Sequence, residues 1–185
     1  TEAFCMADGV SADGNMIVGS SSSSENGDLR EAAIWIRNGE GWDEHLLGVL
    51  PGTTNPFGNA LARDICDDGS IIVGHNSWSP GSSVGFIWTI EGGMVSVVDF
   101  LEDNGISIDN SRTLVGLNAI SGDGKHIVGV AQQTTWPFGY ESFIIHMENL
   151  SSAGETPLTF QLGSNYPNPF NPQTTIPVSM VRAGQ

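Results

Sequence analysis

Apolar residues along this chain fall in short alternating runs, separated by turns rich in Gly, Asn, Asp and Ser. Alternation with a period of two is the pattern of half-buried β-strands. Asp-Gly between two such runs is a strong two-residue hairpin signal, because the turn needs a positive φ that both residues tolerate. CMADGVS from Cys5 is therefore predicted to pair with NMIVG from Asn15, ALARDIC from Ala60 with SIIVG from Ser70, and LVGLNAIS from Leu114 with HIVGV from His126. A strand carrying Trp35 or Trp88 follows, and a fourth, LLGVL or MVSVVDF, comes after it. With 24 Gly and 9 Pro interrupting nearly every window, helix is not expected.

The pattern repeats. SADGNMIVG from Ser11, CDDGSIIVG from Cys66 and SGDGKHIVG from Ser121 place their Asp-Gly pairs at Asp13, Asp68 and Asp123, 55 residues apart each time. A second shared piece lies about 20 residues further on: AAIWIR at Ala32, GFIWTI at Gly85 and SFIIHM at Ser142. Each period is then one supersecondary module. Four short strands per module predict an all-β fold of repeated four-stranded antiparallel units, three in this chain, propeller-like. Propellers usually close with about 4 to 8 blades, and an open array leaves edges that invite pairing. Either units precede Thr1, or the tail or another molecule covers the edge. A homodimer would supply six units.

The elements SxDGxxIVG, EAAIWI and LGVLPG resemble the HAF-type extracellular repeat, found in tandem in secreted bacterial proteins. The resemblance spans Glu2 to Asn149 and implies architecture and an extracellular setting. The third unit departs from it at Ile145, where the others hold Trp35 and Trp88. The chain ends differently. FQLGSNYPNPFNPQTTI, Phe160 to Ile176, closely resembles the opening of the C-terminal sorting domain of the type IX secretion system. That resemblance implies export across the outer membrane, to the cell surface or the medium. The domains expected are a β-repeat domain over 1–150, a linker over 151–157 and a truncated sorting-domain start over 158–185. Ser151 to Pro157 and the residues after Asn171 are expected to be mobile, or the tail to dock by strand addition. LTFQL, from Leu158, is a candidate to complete the third unit.

Charge narrows the partners. Twenty-one acidic residues against 6 Lys plus Arg leave a net charge of −15, which repels nucleic acid and anionic membranes. No apolar run approaches the roughly 18 to 20 residues of a bilayer span, so membrane insertion is not expected. TEAFCMADG holds neither a basic nor an apolar leader region, and an export signal is expected upstream of Thr1. Cys5 and Cys66 are either a disulfide or free thiols.

Candidate chemistry is of three kinds. Asp67 and Asp68, at an Asp-Gly turn, are calcium-ligand candidates, or each Asp-Gly carboxylate caps its own hairpin. His75, His126 and Asp64 are candidate catalytic groups if the strand ends of successive units converge, with a carboxylate raising and orienting an imidazole base. Trp42, Trp78 and Trp136 stand in polar loops, where aromatics stack on sugars or contact proteins. The leading expectation is a secreted or cell-surface binding module for a polysaccharide, small molecule or protein, with contacts in the Trp-bearing loops. The alternative is a calcium-dependent propeller-type hydrolase of a lactone, ester or glycan.

Overall fold

The computed structural model describes residues 4–22, 29–53, 59–79, 82–136 and 138–147, together with two strands, 158–162 and 175–182. It consists mostly of β-strands with a single helix among the described residues. Strands β1 (Cys5–Val10), β2 (Met16–Ser22), β3 (Arg30–Asn38) and β4 (Gly41–Gly48) form an antiparallel meander. A second meander contains β5 (Asn59–Ile65), β6 (Ile71–Ser79), β7 (Ser82–Thr89) and β8 (Gly93–Ser96). One parallel bridge, Arg30 to Asn59, joins the two into an eight-stranded sheet. β9 (Arg112–Ile120), β10 (His126–Gln133) and β11 (Tyr140–His146) form a third meander in a separate sheet. No sheet closes on itself among the described residues.

The three Asp-Gly pairings expected from the sequence are all present, but their loops are longer than expected. Ser11 N–H donates to Met16 O, Cys66 N–H to Ile71 O and Ser121 N–H to His126 O, so each loop holds four residues rather than two. Side chains stabilise the longer loop. The Asp accepts the amide two residues on, at Asn15, Ser70 and Lys125. Residue 11, 66 or 121 lends its hydroxyl or thiol to that Asp and accepts the amide of residue 16, 71 or 126. The glycine alone supplies the unusual backbone, with φ of 68°, 75° and 71° at Gly14, Gly69 and Gly124.

A second regularity was hidden in the sequence. In each meander the first strand slips by one residue against the second, at Asp8, Arg63 and Asn118. These β-bulges lie 55 residues apart and oppose the glycine of IVG, namely Gly19, Gly74 and Gly129. A methyl at those glycines would run into the carbonyl oxygens of Met6, Leu61 and Gly116. At Gly74 and Gly129 it would also strike the rings of Phe86 and Phe143. The bulge draws the backbones together, and glycine is what fits.

MVSVVDF does not form one strand. β8 stops at Ser96 and a helix, α1 (Val97–Asp103), follows. Ser96 Oγ accepts the amide of Asp99 at 3.0 Å and donates to its carboxylate at 2.6 Å, so Ser96 serves as the N-cap that starts the helix. Val97 and Leu101 then face the core.

In the tail, β12 (Leu158–Leu162) pairs with β13 (Thr175–Arg182), and β13 adds in parallel to β11. The strand beside the third meander is therefore β13, with LTFQL outside it. The 151–157 linker lies outside the described residues. One apolar cluster, running from Val18 through Phe86 and Leu117 to Met147, joins all three meanders.

Candidate functional site

The meanders pack so that residues of successive units become neighbours. Arg63 Nη1 meets Asp8 Oδ1 at 2.9 Å, joining the bulges of β1 and β5. Asp64 Oδ2 accepts the Ile120 amide at 2.9 Å, joining β5 to β9. Ser83 Oγ donates to Val115 O, and Asp67 N–H donates to Gly122 O. Three bulge positions thus lie along the first strands of successive meanders. Asp8, Arg63 and Asn118 occupy them.

His75 stands beside this line. It lies within β6, and a Cβ placed on Gly116 would be 3.5 Å from the His75 Cβ and 3.9 Å from Asn118 Oδ1. Burial pushes the imidazole below its usual 6.5 and the Arg63 guanidinium adds to the effect, while the Asp8 carboxylate opposes it. The expected raised, carboxylate-paired base is replaced by its opposite, an imidazole biased toward its neutral form. His126 opens β10, where its ring meets that of His146 edge to face at 4.9 Å. In the repeat frame His126 corresponds to Ile71, four residues along the strand from His75, or roughly 13 Å. Asp64 also bonds its own meander, through the Ile65 amide, so its two oxygens are both engaged.

The acidic turn divides its two carboxylates. Asp68 accepts from the Ser70 hydroxyl, the Cys66 thiol and the Ser70 amide, which hold it at about 2. Asp13 is also held at about 2, first by the Ser11 hydroxyl, and the Ser121 hydroxyl lowers Asp123. Asp67 instead lies against Gly122, where an added methyl would strike its carboxyl group. Among the described residues no three His, Cys, Asp or Glu side chains are grouped to hold a metal ion. Cys5 and Cys66 are both free thiols, the first exposed and the second buried in its turn. They are six residues apart in the repeat frame, or about 20 Å along a strand, too far to bond.

The tryptophans separate. Trp42 is in β4 rather than a loop, with the Arg37 guanidinium 5.6 Å above its ring. That places it near the Asp-Gly end of the molecule. Trp78, near the end of β6, packs against the core. Trp136 follows β10 at the same end as Trp78 and is 84% exposed. Phe138 stands edge to face with it, ring centroids 6.1 Å apart. Phe138 and Tyr140 are each 67% exposed. Phe138 and Tyr140 were not singled out from sequence, although the spacing of WPFGY was a legible signal.

Comparison with known proteins adds little. No family model and no curated protein matches the chain. Among solved structures, TolB from Acinetobacter baumannii aligns at 12% identity with a TM-score of 0.42. The alignment covers 82% of this chain and 33% of that one, so this chain spans about a third of the TolB structure's length. A likeness at that level carries no argument about this chain's fold or role.

Proposed function

We propose that the chain is a propeller-like array of three β-units that serves as an exported binding module, with a glycan as its ligand. The observation that carries this reading is the exposed aromatic group Trp136, Phe138 and Tyr140, raised on the β10–β11 hairpin. Hairpin pairing from Gln132 with Tyr140 down to His126 with His146 fixes the base of that loop, so its rings are offered from a firm support. Flat aromatic faces beside amides such as Gln132 and Gln133 suit the apolar faces and hydroxyls of a sugar chain. Propeller-like stacking is supported by contacts between successive units, Asp8 with Arg63 and Asp64 with Ile120. Export to the surface or medium rests on the Phe160 to Ile176 motif, and deleting 158–185 in the producing cell should abolish release.

The hydrolase alternative asks more of the same residues. Asp64 and Asp68 already accept backbone amides. Binding needs no such group. Titration with soluble polysaccharides, followed by tryptophan fluorescence, tests the proposal. Trp136→Ala should weaken binding at least tenfold, about 1.4 kcal/mol, while Trp42→Ala leaves it unchanged. Equal binding by Trp136→Ala, or hydrolysis of an ester or lactone panel lost in His75→Ala, would overturn it.

A further inference from the structure

The third meander places two histidines face to face where the other two meanders place none. His126, the first residue of β10, stands directly opposite His146, the last residue of β11. The corresponding pair is Met16 with Ile36 in the first meander and Ile71 with Thr89 in the second. Neither of those pairs offers two groups of the kind that ligate a metal ion. Of the 4 histidines in the chain, two therefore meet on a single cross-strand pair.

Backbone hydrogen bonding brings these side chains together. Met147 N–H donates to Lys125 O, and Ser121 N–H donates to His126 O. The backbone of His126 thus bonds toward β9, and His126 with His146 is a pair without hydrogen bonds of its own, the kind whose side chains approach most closely in an antiparallel ladder. The ring centroids are 4.9 Å apart, with the planes at 86°. Two imidazoles on one ion have a similar separation. A metal–nitrogen bond of about 2.0 to 2.1 Å puts each ring centre roughly 3.2 Å from the ion, and a nitrogen–metal–nitrogen angle of roughly 90° to 110° then puts the centres about 4.5 to 5.2 Å apart. The edge-to-face contact leaves one ring to turn about its Cβ–Cγ bond, a broad torsion in histidine.

From this geometry we propose that His126 and His146 chelate one divalent transition-metal ion, Zn2+ or Cu2+, with water in its remaining positions. Neutral imidazole suits these ions, whereas calcium prefers oxygen ligands. Among the described residues no carboxylate or thiol joins the pair as a third ligand, so the ion keeps positions open to water or to the oxygen atoms of a bound molecule. Both ligands belong to one hairpin, and the site asks nothing of a neighbouring unit. The aromatic loop follows the far end of the eight-residue β10, roughly 23 Å along the strand, so the metal site does not depend on what that loop binds.

Calorimetric titration with Zn2+ at about pH 7.5, where imidazole is mostly neutral, tests the site in the full chain prepared without a histidine tag. Cys5→Ser serves as the parent, because it removes the exposed thiol as a competing ligand. One ion should bind per chain. His126→Ala and His146→Ala should each weaken binding at least about tenfold, while His45→Ala, at an exposed position of β4, leaves it unchanged. Spin-echo spectroscopy of the Cu2+-loaded parent should show two coordinated imidazoles, and it reads the parent fold even if a substitution disturbs β10. A parent that binds no ion overturns the proposal, as does a copper signal from a single imidazole. Full affinity in either histidine variant overturns it too, and so does one ion per two chains, which would mean a bridge between copies.

Discussion

Side chains in this protein are committed largely to their own turns and seams, and their titration reports it. His75 is held below 6.5 by burial and by Arg63, with Asp8 opposing. A depressed histidine is protonated more readily in the unfolded chain. Stability is therefore expected to fall as pH drops below about 6.5 and to level off near the folded value. Asp8→Asn should lower the His75 midpoint further and Arg63→Met should raise it, measured by NMR titration of the imidazole. The turn carboxylates act the other way. Asp68, held at about 2, contributes stability that is complete above its ordinary 3.8 and lost as pH falls toward about 2. The thiols give a simpler check. In the native protein Cys5 should react with a thiol reagent and Cys66 should not, and the denatured, unreduced chain should show both.

Elements are set by contacts that a strand pattern alone does not reveal. The IVG glycines look interchangeable with any small strand residue until the bulges opposite them are seen. Gly74→Ala would push a methyl into Leu61 O and the Phe86 ring, and about 3 kcal/mol of destabilisation is expected in denaturant unfolding. Gly39→Ala is a useful contrast. A methyl there meets nothing within 4 Å, so its cost comes only from the positive φ of 62°. Strand pairing in all three meanders was legible because alternation and Asp-Gly spacing are local signals. The helix was not, because VVDFLED follows a strand without a break and only the Ser96 and Asp99 pair marks the change. Trp42 was assigned to a loop for a similar reason: Gly41 and its polar neighbours hid the fact that β4 pairs with β3 from Asn38 onward.

At the scale of the molecule, the seams between meanders hold Asp64 and His75, two of the three groups that sequence offered as catalytic. Asp64→Ala should remove the carboxylate that accepts the Ile120 amide and cost about 1.5 to 3 kcal/mol. Asp64→Asn keeps an acceptor and should recover part of it, with thermal melting as the measure. A structural role predicts loss of stability and no change in glycan affinity. The 55-residue period by itself determined the strand order, the three turns and the chemical equivalence of their residues, because hydrogen bonding within a hairpin depends on near neighbours. It also contained the bulge positions 8, 63 and 118, visible only as a spacing among unlike residues. Tertiary structure alone decided which equivalents touch. Packing one meander on the next buries Val73 and exposes Val128, joins Asp8 to Arg63, and carries Trp136 and Trp42 to opposite ends. A side chain's fate in such an array depends on whether another unit lies against it, and that is a property of the stack rather than of the repeat.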